Sequence, residues 1–197
     1  MRKLSQGFTL IELLIVIGVL GILASGLLAA VDPFEQLKKA RDANNRNASV
    51  ETLNALTRYY ATHGVLPWQS TVVTCITGGV GAVFDPLRVS ESGYPHAVVK
   101  IANTTSTDYT AAVNGCITDS VLADGELKSA FFSGLSTTLY LGSGSNTTAI
   151  VCYAPEGKAL RNDTVAVQWS INAAGNSVAV GCTTAQKDAG ECLQCFE

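Results

Sequence analysis

The sequence predicts an α+β fold, a long amino-terminal α-helix packed on a small antiparallel β-sheet. Two observations predict it. An almost unbroken apolar run, GFTLIELLIVIGVLGILASGLLAAV, occupies Gly7 to Val31 and leads into a stretch rich in helix formers. Beyond Leu66 the pattern changes to short runs of β-branched residues set apart by Gly, Asn, Asp and Pro, the signature of strands and turns. An amphipathic helix laid on such a sheet buries the apolar face of both.

The apolar run comes first. Leu13 to Val31 carries no charge, and at about 1.5 Å per residue it is about 28 Å long, close to the hydrocarbon thickness of a bilayer. A cleaved secretory signal would have a shorter core of about 7 to 15 apolar residues. A buried helix of a soluble protein would show a polar stripe, and here Ser25 is the single polar residue. The run therefore reads as a membrane-spanning helix. Arg2 and Lys3 precede it, with no acid before Glu12, and Asp32 and Glu35 follow it directly, which places the amino terminus in the cytoplasm and the rest outside. Gly18, Gly21 and Gly26 allow neighbouring helices to approach closely, at about 1 kcal/mol of helix stability each.

The second helical stretch begins at Asp32, a cap residue, with Pro33 in the first helical position. Phe34, Leu37, Ala48, Val50, Leu53, Leu56 and Tyr60 recur at spacings that suit one apolar face. A kinked continuous rod is expected from Phe8 to about Ala61, ending before Gly64 and Pro67. Strands are expected at Thr71 to Ile76, His96 to Ala102, Thr137 to Leu141, Thr148 to Ala154, Thr164 to Ile171 and Ser177 to Cys182. Val165, Val167 and Trp169 would share a face, NAAGN would form a hairpin turn, and Asp119 to Phe132 would add a short helix.

The chain has 197 residues, room for one compact domain with an appendage. Its 13 Lys and Arg against 16 Asp and Glu give a net charge of -3, and the one basic block is Lys38, Lys39 and Arg41, so nucleic acid is not an expected partner. The six cysteines, Cys75, Cys116, Cys152, Cys182, Cys192 and Cys195, all follow the apolar run, as in an exported, oxidised domain. They permit many pairings, among which a bridge from Cys182 to Cys192 or Cys195 would tether the carboxy-terminal tail. The CLQC spacing has a redox or zinc counter-reading, but it stands two residues from the chain end, and only His63 and His96 are available as further zinc ligands besides cysteine. No phosphate loop, paired histidines or nucleophile set points to catalysis, so no catalytic residue and no metal site is assigned. The sequons at Asn47, Asn103, Asn146 and Asn162 imply no glycan in a chain this rich in Ser, Thr and Asn.

The leader MRKLSQG followed by FTLIE resembles the amino terminus of type IV pilins and of the pseudopilins of type II secretion systems. The resemblance extends over Met1 to about Tyr60. It implies a leader, residues 1–7, cut by a prepilin peptidase after Gly7, and N-methylation of the new amino terminus at Phe8. Residues 8–31 would then be the transmembrane and assembly helix, 32–62 its amphipathic continuation, and 63–197 a β-rich, disulfide-bonded head. It further implies a structural subunit, anchored in the inner membrane, that polymerises with copies of itself through inner-membrane assembly machinery into a pilus or a secretion pseudopilus. Pilins commonly staple the tail by a disulfide, and some pseudopilins bind calcium, for which Asp188 and Glu191 are the acids available here.

Glu12 is expensive inside an apolar helix, by about 2.5–3.5 kcal/mol at mid-helix on insertion scales. Pairing with the Phe8 amine of a neighbouring subunit would offset that cost and fix the register of assembly. Snorkelling to the headgroups is the alternative. The competing function is a membrane-anchored exported binding or thiol-redox domain that never polymerises.

Overall fold

A computed structural model describes residues 8–30, 32–69, 75, 96–103, 110–143, 147–163 and 167–197. The chain divides into two compact units, Met1–Leu37 and Lys38–Glu197. The leader and most of the strand expected at Thr71 to Ile76 lie outside the described residues; Cys75, which is described, is helical.

The helical run is present as two helices, α1 (Leu10–Ala30) and α2 (Pro33–His63). The second has its own start. Asp32 Oδ1 accepts the N–H of Phe34 at 3.0 Å and of Glu35 at 3.3 Å, an N-cap with proline in the first helical position. It ends where Gly64, at φ 73°, donates its N–H to the Tyr60 carbonyl at 2.7 Å, the left-handed turn that glycine adopts without strain.

The buried face of α2 is Asp42, Asn45, Ser49, Thr52, Ala55, Leu56 and Tyr59. This corrects the expected apolar face: of its residues only Leu56 is fully buried, Ala48, Val50, Leu53 and Tyr60 are half-buried flanks, and Phe34 and Leu37 are exposed. Polar residues can face inward here because most of their groups are hydrogen-bonded, Asn45 Nδ2 excepted. Ser49 Oγ and Thr52 Oγ1 donate to the carbonyls of Asn45 and Ala48 one turn earlier, at 2.9 and 2.7 Å. The Asp42 carboxylate accepts the backbone N–H of Glu156 at 2.7 Å and of Gly157 at 2.8 Å, and Asn45 Oδ1 accepts the Ser136 hydroxyl at 2.8 Å.

The head contains β1 (His96–Ile101), α3 (Thr110–Ile117) running into a π-helical turn (Thr118–Leu122), α4 (Phe131–Gly134), β2 (Leu139–Ser143) and β3 (Ala149–Tyr153). Then come α5 (Lys158–Arg161), β4 (Gln168–Ile171), β5 (Ser177–Val180), α6 (Thr184–Ala189) and β6 (Cys192–Phe196). The strands pair antiparallel in the order β1-β2-β3-β6-β4-β5, and β5 meets β1 again through His96↔Val178 and Ala97↔Ser177, so the sheet curls into a closed barrel. The architecture is α+β and pilin-like, as expected.

Period-two alternation divides the core. Val99, Ile101, Leu139, Leu141, Val151 and Tyr153 pack with Ala55, Leu56 and Tyr59 of α2. Val98, Ile150, Cys152, Trp169, Val178 and Leu193 form a second cluster on the other face. The β4–β5 turn is the expected hairpin: Asn172 Oδ1 accepts the N–H of Asn176 and Ser177, and Gly175 takes φ 71°.

Three expectations are corrected. The tail is a strand, β6, lodged between β3 and β4. The helix expected from Asp119 to Phe132 is broken at Gly125, at φ 76°, a conformation that no helix continues through. Val165 is outside the described residues, and Val167 is exposed while Trp169 is buried, because β4 starts only at Gln168.

Leu56→Ala should lower stability by about 2–5 kcal/mol through the cavity it leaves. A Cβ on Gly157 would lie 2.9 Å from Asp42 Oδ2, so Gly157→Ala should cost about 1–3 kcal/mol by overpacking. Guanidinium unfolding of the full chain in detergent reads both, and a Gly157→Ala protein as stable as the parent would contradict the close approach.

Candidate functional site

The apolar helix starts in a defined way. Phe8 and Thr9 precede α1 in non-helical conformation, and Phe8 is 89% exposed. Glu12 Oε2 accepts the Thr9 N–H at 2.9 Å and the Thr9 hydroxyl at 2.8 Å, and Thr9 Oγ1 accepts the Glu12 N–H at 3.3 Å. This is the reciprocal pattern of a capping box, and the carboxylate satisfies donors that a helix start otherwise leaves open. The T-x-x-E spacing of Thr9 to Glu12 signals it in the sequence, where Glu12 was weighed only as a charge. Gly7 lies outside the described residues.

Along α1, the large apolar side chains from Leu10 to Leu27 are each between 50% and 81% exposed. The helix is long and apolar enough to cross a membrane. Ser25 Oγ donates to the Ile22 carbonyl at 2.8 Å, which leaves that hydroxyl satisfied in an apolar setting. A Cβ built on Gly18, Gly21 or Gly26 would meet no atom within 4 Å.

The cysteines form three bridges, Cys75–Cys116, Cys152–Cys195 and Cys182–Cys192. Cys152 and Cys195 face each other across β3 and β6. Cys182 and Cys192 close a loop around α6, which has a second capping box, Thr183 with Gln186, and a left-handed Gly190 at its end. Cys192 and Cys195 thus bond to separate partners, which removes the dithiol that a redox CxxC requires. Asp188 and Glu191 are exposed on that loop, and among the described residues no group of three or more His, Cys, Asp or Glu gathers as a metal site. His63 stacks on Tyr59 and lies 3.4 Å from Asp124. His96, expected at the surface, is half-buried against Trp169.

Near the α2 contact, burial pushes the Tyr153 phenol up to about 12, the Asp42 carboxylate adds to the shift, and Arg46 opposes it. The phenol donates to Gln194 Oε1 at 2.6 Å, which ties β3 to β6. Arg41 pairs with Glu156 at 3.1 Å and Arg58 with Glu126, both largely at the surface and each of small energetic weight.

Residues 2–28 match the family model described as the prokaryotic N-terminal methylation motif. Among characterised proteins the chain is similar to the type IV major pilin protein PilE of Neisseria gonorrhoeae, 38% identical over 36% of this chain and 41% of that one. It is also similar to PilE1 of the same organism, 31% identical over 58% of this chain and 64% of the relative. A fimbrial protein of Neisseria meningitidis serogroup B is 38% identical over 36% of this chain and 41% of its own length. The alignments thus span less than two thirds of these relatives. No solved structure matches the chain. The resemblance to type IV pilins holds.

The bridges close sequence separations of 43 residues for Cys152–Cys195 and 10 for Cys182–Cys192. Chain entropy then predicts that paired serine replacement costs about 4 kcal/mol for the first and about 2.7 kcal/mol for the second. Denaturant unfolding checks the order, and a reversed order would refute it. The raised Tyr153 phenol favours the folded state while it stays protonated. Its contribution is complete below about pH 10, the unfolded value, and is lost as pH rises through about 12, the folded value. Stability measured across that window should fall less steeply in Tyr153→Phe.

Proposed function

We propose that the chain is a structural subunit of a type IV pilus-like filament or a type II secretion pseudopilus. It is made as a precursor, cut after Gly7 by a prepilin peptidase, methylated at Phe8 and polymerised through α1 with copies of itself or related pilins. The observation that carries this reading is the methylation motif over residues 2–28 on a helix whose large apolar side chains from Leu10 to Leu27 are each half or more exposed. Before assembly α1 spans the inner membrane with its amino terminus in the cytoplasm. Lys38, Lys39 and Arg41 follow the span, but they open a unit that runs to Glu197, and segments longer than about 60 residues translocate largely regardless of charge.

Glu12 then has two successive roles. In the single chain its carboxylate closes the capping box with Thr9. In the filament it pairs with the methylated Phe8 amine of a neighbour, which turns the cost of one charge in lipid into a preference for one axial register. The non-polymerising redox alternative loses its main support, because both cysteines of CLQC are bonded elsewhere.

Mass spectrometry of the protein from its native membrane should find a chain that begins at methylated Phe8; an intact Met1 beside an active peptidase would overturn the reading. Glu12→Gln keeps the acceptor of the cap and removes the charge, so it should insert and be processed yet fail to form filaments. Normal filaments from that variant would refute the intersubunit pair.

A further inference from the structure

Within the head unit the fully buried side chains of α2 change character along its length, although the half-buried Ala48 also packs on the apolar cluster and Arg58 is tied to Glu126. From Ala55 to Tyr59 the hold is apolar: Ala55, Leu56 and Tyr59 are fully buried in the same cluster as Val99, Ile101, Leu139, Leu141, Val151 and Tyr153. From Lys38 to Thr52 the buried side chains are Asp42, Asn45, Ser49 and Thr52, all polar. Two of these make no tie to the head, since the Ser49 and Thr52 hydroxyls donate to carbonyls of α2 itself. Asn45 accepts from Ser136, but its Nδ2 is buried with no hydrogen-bond partner among the described residues. The Asp42 carboxylate holds the backbone N–H groups of Glu156 and Gly157, and Arg41 reaches Glu156 from the exposed side.

These two chemistries respond differently to separation. Lifting the apolar part exposes the core of the sheet, which water does not compensate. Lifting the polar part exposes the half-buried Ala48 and parts Arg46 from the Phe196 ring, but otherwise it trades hydrogen bonds to loop backbone for hydrogen bonds to water and gives the Asn45 Nδ2 an acceptor.

We propose that residues 38–52 of α2 are a releasable strap, clamped to the loop after β3 by Asp42, while residues 55–63 are the permanent anchor. The strap opens as a local unfolding step with the barrel intact, so α2 and the head form a joint and not a rigid block. This is a property of the single chain and stands or falls apart from the assembly reading.

Hydrogen exchange of the full chain in detergent micelles, followed by mass spectrometry at neutral pH, tests it. In the parent protein the amides of residues 42–52 should exchange at least about 10-fold faster than those of residues 55–61, as expected where opening is local. Asp42→Asn keeps one acceptor oxygen, sets an amide donor against the other N–H and removes the charge; it should speed exchange further at residues 42–52 and 156–158 and leave residues 150–153 and 193–195 unchanged. Leu56→Ala serves as the control and should raise exchange through α2 and the strands together. Equal protection across residues 42–61 in the parent would overturn the proposal, as would an Asp42→Asn protein that loosens the strands or fails to fold.

Discussion

The head is organised by one constraint, that β3 is buried on both faces. All of Ala149 to Tyr153 is inaccessible, with Val151 and Tyr153 turned to the α2 side and Ile150 and Cys152 to the second cluster. A strand covered on both sides cannot also end the sheet, because its backbone donors and acceptors would be left unpaired away from water. It needs a neighbour on each edge. β2 supplies one, and the other is β6, the last segment of the chain. The sheet is therefore completed in its middle by the residues furthest along the sequence. The Cys152–Cys195 bridge and the Tyr153–Gln194 hydrogen bond both act at that join. Once β6 is in place, β4 and β5 follow it around the curve, and Trp169, Val178 and Leu193 close over the second cluster.

Much of this was legible in the sequence and some was not, for physical reasons. Strands with regular alternation, such as β1 and β3, stood out because their period matches the pleat. β6 did not, since CLQCF has one aliphatic residue and a glutamine at its centre, and its buried positions, Cys192 and Leu193, are adjacent and do not alternate. The face of α2 was misjudged for another reason. A search for apolar spacing cannot see that Asp42 will meet two backbone N–H groups more than a hundred residues away, or that two hydroxyls will turn back on their own helix. That failure concerns polar groups that become acceptable inside only through a partner, and sequence spacing does not carry the partner.

The amino-terminal site shows the reverse situation, in which the residue was identified and its local chemistry overlooked. Glu12 draws notice as a carboxylate in an apolar run, yet its first role is to end the helix cleanly at Thr9. The cap keeps Phe8 outside the helix, where a peptidase acting on the Gly7–Phe8 bond would need an unwound chain. A charge that looked like a pure liability is therefore partly satisfied before any second molecule is involved. On the proposed reading an intersubunit pair need not compensate the whole cost of the bare ion, because it would replace the dipoles of the Thr9 hydroxyl and amide with an ammonium that adds the attraction of a full opposite charge to its hydrogen bond.

The two units of the chain differ in what they leave uncovered. The head closes its sheet, buries both clusters and pairs its described cysteines. The apolar helix α1 does none of this: half or more of each large side chain from Leu10 to Leu27 is open, and a Cβ at Gly18, Gly21 or Gly26 would meet no described atom within 4 Å. Glycine costs a helix about 1 kcal/mol relative to alanine, and no close packing among the described residues calls for these three. On the proposed reading they acquire an explanation, because small residues are what permit helix backbones to approach when lipid and side chain are equally apolar. Lipid alone would cover the exposed leucines and isoleucines equally well without any glycine. It is the combination of open glycines and a single capped carboxylate, and not hydrophobicity, that argues for a helix whose final neighbours are other helices.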